Sequence, residues 1–228
     1  MTKPDKSAAT TASRVPLSRT RVLDAAVAYA DTRGLETLTM RNLAELLDAA
    51  PMALYRHVSS KDDLLDGMID LVYGEIDVPS EDGDWKLAMR QQAISARETV
   101  SRHPWAIRLI ESSATPGRAN LRYHDSVLGI LRRSGFSIAM AIHVFTVLDS
   151  YIYGFALQQM TMPFDSAEDL TGVAQDILQQ FPSDEYPYLA ETLSEYVGRT
   201  GYDFSDEFEF GLDLILGALD QYLNADRS

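Results

Sequence analysis

Apolar residues recur along this 228-residue chain at the three-to-four spacing of an α-helix, and no segment alternates apolar with polar as a half-buried strand does. The first such run opens after Ser18, a natural N-cap. It presents Val22, Leu23, Ala26, Val27 and Ala30 and closes at Gly34. A second, short run follows Thr39, another N-cap, with Leu43, Leu46 and Leu47 as its apolar side. After Asp48-Ala49-Ala50 a third begins at Pro51, which suits a first helical turn because its missing N–H has no partner to lose there. Ser60 caps a fourth, Lys61 to Ile76, with Leu64, Leu65, Met68, Ile69 and Val72 on one side. Asp77 to Gly83 reads as a loop between domains. Beyond it the pattern predicts helices over 84–101, 104–112, 117–133, 137–160, 187–199 and 205–224. Residues 161–186, with prolines and several acids, read as a long loop with a helical turn near 167–180. The fold class is all-α. Its expected parts are a flexible tail (1–17), a first domain (18–76, including a linking helix, 61–76) and a second domain (84–228).

Composition narrows this picture. A hydrophobic content of 46% suits a globular chain and excludes disorder over most of its length. With no cysteine, disulfides and thiolate zinc sites are excluded. The first 18 residues carry no apolar run, so neither a signal peptide nor a membrane span is expected there; the expected location is the cytoplasm, with no membrane partner. Net charge is −14, which argues at first against a nucleic-acid partner. The charge is unevenly spread. Residues 1–61 hold nine Lys/Arg against six Asp/Glu, an excess of +3, whereas the remainder holds eleven against twenty-eight, an excess of −17. A mildly basic end on an acidic body is compatible with DNA binding and would repel DNA from the rest of the molecule.

The segment from Leu38 to Val58 has the form of two short helices joined by about three residues, the unit that lays its second helix in the major groove. Leu43, Leu47, Leu54 and Val58 face inward in this reading, leaving Pro51, Met52, Ala53, Arg56 and His57 outward. Small apolar side chains at the helix start can touch thymine methyls, and Arg56 and His57 can donate to base edges or phosphate. Tyr55 offers a hydroxyl to a phosphate, and Lys61 adds a charge at the next helix start. The pattern alone fits DNA reading and an ordinary helical hairpin about equally.

A resemblance separates the two. Gly34-Leu35-Glu36-Thr37-Leu38-Thr39-Met40-Arg41, followed by Ala53-Leu54-Tyr55-Arg56-His57-Val58 and Lys61-Asp62-Asp63-Leu64-Leu65-Asp66, resembles the tetracycline-repressor (TetR) family of bacterial regulators. Looser matches follow in the expected order: Trp85, His103-Pro104-Trp105, Gly135-Phe136, Tyr151 to Phe155 and Phe208 to Asp213. The resemblance implies a three-helix helix-turn-helix domain followed by a helical domain for ligand binding and dimerisation. It implies a repressor that binds a palindromic, double-stranded operator as a homodimer and is released by a small-molecule effector. Arg41 and Tyr55 would contact backbone or bases, His57 a phosphate or base, and Lys61 a phosphate; Thr39 belongs to the same surface. Pro51, Met52, Ala53 and Arg56 would hold groove-facing positions.

Three departures from the family pattern fall together in the turn. Asp48 stands where Gly is usual, Ala49 where a β-branched residue is frequent, and Ala50 where a Ser- or Thr-like cap is usual. Asp visits the left-handed backbone less readily than Gly, and Ala has no capping oxygen, a loss of roughly 1 kcal/mol. A less stable DNA-binding domain, or weaker operator affinity, is the expectation.

In the second domain, Ile138 to Leu157 is apolar nearly all round, so a helix there must be buried on all faces, by its own domain and by another chain. The last helix, with Phe208, Phe210, Leu212, Leu214, Ile215, Leu216, Leu219 and Tyr222, behaves similarly. The family resemblance implies that the two pair with their symmetry mates as a four-helix bundle. Trp105, Tyr123, His124, Phe145, Asp149 and Tyr153 are candidates for a pocket, Asp149 being an acid in an apolar helix that needs a partner such as Arg122 or a cationic ligand. His103, His124 and His143 lack ligand-like spacing, so no metal and no cofactor are expected. No Gly-rich phosphate loop or nucleophile arrangement points to an enzyme. The rival readings are a ligand-binding dimer that has lost DNA binding and, further off, an enzyme.

Overall fold

The computed structural model describes residues 16–79, 83–110, 115–162, 167–181, 184–197 and 203–225; the expected tail lies outside them except for Pro16 and Leu17. Among the described residues there is no strand. Packing divides the chain into two units, one through Met68 and one from Ile69, so the division falls inside a helix.

The first unit contains α1 (Arg19–Arg33), a 3-10 turn (Leu35–Thr37), α2 (Met40–Leu46), α3 (Pro51–Leu54) and the start of α4 (Lys61–Glu75). Each start has the cap its sequence offers. Ser18 Oγ accepts from Arg21 N at 3.1 Å, Thr39 Oγ1 from Asn42 N at 3.1 Å, and Ser60 Oγ from Asp63 N at 3.0 Å. Val22, Ala26, Leu38, Leu43, Leu54, Val58 and Leu64 form the buried interior. Leu46, grouped by its spacing with Leu43 and Leu47, instead stands 50% exposed, because α2 is too short and too peripheral to bury a broad face. α3 has only four residues and cannot persist alone. The burial of Leu54, worth about 1.5–3 kcal/mol, is what fixes it.

The second unit holds the rest of α4, then α5 (Trp85–Arg102), α6 (Ala106–Ile110), α7 (Arg118–Arg133), α8 (Ile138–Thr161), α9 (Ala167–Gln180), α10 (Pro187–Thr192) with a π segment (Leu193–Val197), and α11 (Phe204–Ala225). α8 packs on α5 and α7, and α11 on α5 and α8. Trp85 meets Phe136 edge-on at 4.9 Å between ring centroids, closing the end where Gly135, at φ 104°, turns the chain into α8. The single helical turn expected near 167–180 is a complete fourteen-residue helix, α9. Val173, Ala174, Ile177 and Leu178 have helical spacing, a signal that the neighbouring prolines outweighed in the sequence reading.

Candidate DNA-reading surface and effector cleft

The turn before α3 adopts the geometry its sequence makes awkward. Asp48 has φ 51°, the one non-glycine residue with positive φ among those described. Ala50 occupies the N-cap of α3 in extended conformation, and no side-chain hydrogen bond closes the cap. On the far side of Leu54 and Val58 the predicted surface is present: Met52 is 74% exposed, Pro51, Tyr55 and Arg56 are exposed, and Ala53 and His57 are half-buried. Thr39 and Lys61 are exposed as well. Arg41 forms an ion pair with Glu45 at 3.2 Å, an exposed i,i+4 contact worth a few tenths of a kcal/mol, so it is readily exchanged for a phosphate.

A contact that the sequence reading did not find fixes this surface. Arg19 Nη2 meets Asp63 Oδ1 at 2.6 Å and Arg19 Nη1 meets Oδ2 at 3.2 Å, while Nη1 also donates to the His57 carbonyl at 3.0 Å. Asp63 accepts in addition from Ser59 N and Ser59 Oγ at 2.7 and 3.0 Å. The Arg19 guanidinium, helped by Ser59, holds the Asp63 carboxyl down to about 2. This fork ties the first turn of α1 to the chain just after α3. The available signal was one acid three residues after Ser60, which reads equally as a helix-dipole partner.

Within the second unit the six pocket candidates occupy two layers. Phe145, Asp149 and Tyr153 line a cleft of about 400 Å³ along α8, with Ile107, Thr146, Ser150, Gly154 and Leu157. Tyr123 is buried behind Asp149; its hydroxyl accepts from Gln92 Nε2 at 2.6 Å and donates to Asp149 Oδ1 at 3.5 Å. His124 lies between Tyr123 and Phe145, with ring centroids 5.3 and 5.1 Å away, and its Nδ1 is 2.8 Å from the Asn120 carbonyl. Trp105 is buried beside His103 rather than in the cleft wall. Asp149 does not pair with Arg122, which is exposed; Tyr123 is its hydrogen-bond partner. Burial pushes the Asp149 carboxyl up to about 7, against the opposing pull of the Tyr123 hydrogen bond.

The second half of α4 reaches this layer directly. Tyr73 lies 5.3 Å from the Tyr123 ring and 5.8 Å from His124. Asp70 Oδ1 accepts from the backbone N–H groups of Ala119 and Asn120 at 2.8 and 3.0 Å, capping α7 where Gly117 offers no side chain. A Cβ on Gly117 would come within 2.2 Å of the Asp70 carboxyl carbon, so glycine is what admits this cap. Glu75 accepts from Arg102 at 3.0 Å and lies 3.2 Å from His103 Nε2. Although burial pushes the other way, these two neighbours hold Glu75 below the usual carboxylate range. Among the described residues no group of three His, Asp or Glu is placed to hold a metal ion.

Helix-turn-helix and helical second unit both match known proteins. The profile of bacterial regulatory proteins of the tetR family matches residues 22–68, and that of the tetracyclin repressor-like C-terminal domain matches residues 79–222. The chain belongs to the TetR family of transcriptional regulators. The HTH-type transcriptional repressor DrrR1 of Streptomyces coeruleorubidus is 34% identical over 215 residues, spanning 90% of this chain and 77% of that protein. The class C tetracycline repressor of Escherichia coli is 28% identical over 208 residues, with 90% and 91% covered. Among solved structures, apo ActR from Streptomyces coelicolor matches with a TM-score of 0.75 at 26% identity, covering 93% of this chain and 99% of that one. ActR in complex with actinorhodin matches at 0.73 and 26%, covering 92% and 99%. The regulator thus shares its fold with a neighbour solved both empty and with a small molecule bound.

Proposed function

We propose that this regulator binds a palindromic operator as a homodimer, represses from it, and is released when an effector enters the second unit. The observation that supports this most is the exposed surface of α3 and the turn after it, with Met52, Tyr55 and Arg56 outward and Leu54 and the Arg19–Asp63 fork pinning the segment. In this reading residues 18–76 read DNA and residues 84–228 bind effector and partner. Arg41, Lys61 and Thr39 position the unit on phosphates, while Pro51, Met52, Ala53, Tyr55, Arg56 and His57 face the groove. The chain is read as a regulator and not an enzyme, acting in the cytoplasm, where the operator is.

The dimer reading is supported by side chains left open on one chain. α8 exposes Ile138 (70%), Ile142 and Val147, and α11 exposes Phe210 (65%), Leu214 (60%) and Tyr222. These are large apolar groups on two adjacent helices, a surface that association would cover. α8 is also long and apolar enough to cross a membrane by length and composition. A helix half packed in its own unit and half in a partner has the same composition, and that is the reading adopted. Two α3 helices about 34–36 Å apart would then reach successive major grooves.

The test is a titration, at several salt concentrations, of the purified protein against its own upstream DNA and a scrambled fragment. Saturable binding that prefers the upstream fragment, with two protomers per site, is expected. Equal, weak binding to both fragments that vanishes with modest salt favours the rival reading, a ligand-binding dimer without operator recognition. Restoring Gly, Val and Ser at positions 48–50 then shows whether the unusual turn is the cause.

A further inference from the structure

The cleft along α8 has an asymmetric lining. Ile107, Phe145 and Leu157 are apolar, and Gly154 leaves room for a flat group to approach the helix. Thr146, Ser150, Asp149 and Tyr153 break that surface, and two of these groups are short of partners. The first is the Asp149 carboxyl, which forms no ion pair among the described residues; its one hydrogen bond, from Tyr123, is long at 3.5 Å. The Tyr123 oxygen also accepts from Gln92 Nε2 at the shorter distance of 2.6 Å. The second is the Tyr153 hydroxyl, buried against Tyr73 but without a hydrogen bond of normal geometry. A buried carboxyl and a buried hydroxyl, both under-satisfied and both in one cleft wall, each carry a desolvation cost that a bound donor would remove.

The chemistry of that donor follows from its neighbours. The groups that interact with Asp149 are Tyr73 from α4, Tyr123 from α7 and Tyr153 from α8, and Phe145, which stacks near His124, lines the same cleft. None of these is a fixed cation, and several present aromatic faces. The surrounding chain, residues 62–228, carries an excess of −17, which raises the local concentration of small cations. Aromatic walls with one carboxylate and no resident cation are the complement of a flat, positively charged amine.

We infer that the effector of this regulator is an aromatic amine carrying a positive charge, its ammonium on the Asp149 carboxylate and its ring system against Phe145 and Tyr153. The inference rests on the reading of the second unit as the effector-binding part. The site also touches the second half of α4. Tyr73 on α4 packs on Tyr123 and against Tyr153, so a ligand that draws Asp149 and Tyr153 toward itself loosens the layer on which the second half of α4 rests.

The test uses two tricyclic probes of near-equal size, 9-aminoacridine as the cation and acridone as its neutral, carbonyl-bearing counterpart, titrated by fluorescence into the full-length protein. The wild type is expected to bind the cation about tenfold or more tightly than acridone, the size of one charge-assisted hydrogen bond. Asp149→Asn is expected to bring that ratio close to one. The ratio separates this effect from unfolding, which would abolish both interactions together. Equal affinities in the wild type, a ratio that survives Asp149→Asn, or no binding of either probe would each overturn the inference. A preference for acridone would overturn it too, pointing to a protonated Asp149 that donates to a carbonyl. Operator titration of the probe-free wild type is read separately. If it shows no site-specific binding while the cation preference holds, the repressor reading fails and the assignment of the cleft stands.

Discussion

The two units place their polar chemistry on opposite sides of their apolar cores. In the first, Leu43, Leu54 and Val58 are sealed inside, and the groups proposed to face DNA stand outside, held by three hydroxyl caps and the Arg19–Asp63 fork. In the second, large apolar side chains such as Phe210 and Ile138 face outward, while Asp149, Tyr123, Tyr153 and Gln92 lie in the interior. A unit that reads a charged polymer needs a rigid interior and a polar exterior. A unit proposed to take a small molecule inside and a partner chain outside needs the reverse. The contrast can be tested from both sides.

The largest expected effect comes from spoiling the outer face of α11. Phe210→Asp combined with Leu214→Asp places two charges on a stripe that in one chain is already exposed, so folding of the protomer is retained while self-association is penalised. Light scattering is expected to show a monomer, and operator affinity is expected to fall about 100-fold or more, since each half-site then binds alone. A variant that stays dimeric would show that the stripe is not the interface.

Next in size is the inward-facing acid. Asp149 titrates near 7 in the folded chain against an ordinary 3.8, so the folded state binds a proton more tightly than the unfolded state between those values. Stability therefore falls as pH rises through that window and levels off above it. Asp149→Asn removes the cost of the buried charge. The variant should melt higher than the wild type, by an amount that grows from about pH 4 to about pH 7 and corresponds to at most a few kcal/mol. Comparing the two proteins at each pH cancels the contributions of the groups they share, and the three tyrosines, all pushed upward mainly by burial, stay neutral throughout. A difference independent of pH would mean that Asp149 remains ionised in the folded protein.

The mirror image is expected for Asp63 in the first unit. Its carboxyl is held down to about 2, so its contribution is present above the ordinary 3.8 and is lost as pH falls toward 2. Both partners of the fork are partly exposed, and solvent screening limits the contribution to about 1 kcal/mol. Asp63→Ala should lower the melting temperature at neutral pH and have a diminishing effect toward pH 2. It should also weaken operator binding, because the His57 carbonyl loses the Arg19 that depends on Asp63 for its position. Unchanged operator affinity would show that Leu54 and Val58 alone hold α3 in place.

The difference between the units also governs how much of each was legible from the sequence. The caps at Ser18, Thr39 and Ser60, and the inward set Leu43, Leu47, Leu54 and Val58, were readable because helix signals are local and repeat at fixed spacing. Six of the seven helices from α5 to α11 are likewise local, and only α9 was hidden, by its flanking prolines. The contacts that assemble the sites are not local. Asp63 finds Arg19 across 44 residues, Asp70 finds the start of α7 across 49, and Gln92 finds Tyr123 across 31. No spacing rule reports such pairs. Asp149 stands out in the sequence as an acid that needs a partner, Arg122 or a cationic ligand; Arg122 is exposed, and the hydrogen-bond partner within the chain, Tyr123, is one residue further along α7.

The smallest expected effect concerns the turn that joins the reading of sequence to that of structure most closely. Ala50 holds the backbone of an N-cap, φ −77° and ψ 142°, without an acceptor to offer, and Pro51 follows in the first turn. Ala50→Ser needs no backbone change and supplies an oxygen for the N–H of Met52 or Ala53, a gain of about 1 kcal/mol or somewhat less. Because α3 is four residues long and is held mainly by Leu54, that gain should appear in the first unit alone, as slower amide exchange near Ala53 with the second unit unchanged. Tighter operator binding should accompany it if fraying of α3 costs affinity. Slower exchange without tighter binding would show that α3 is already ordered when it meets DNA, and that the unusual turn at Asp48 to Ala50 affects stability and not recognition.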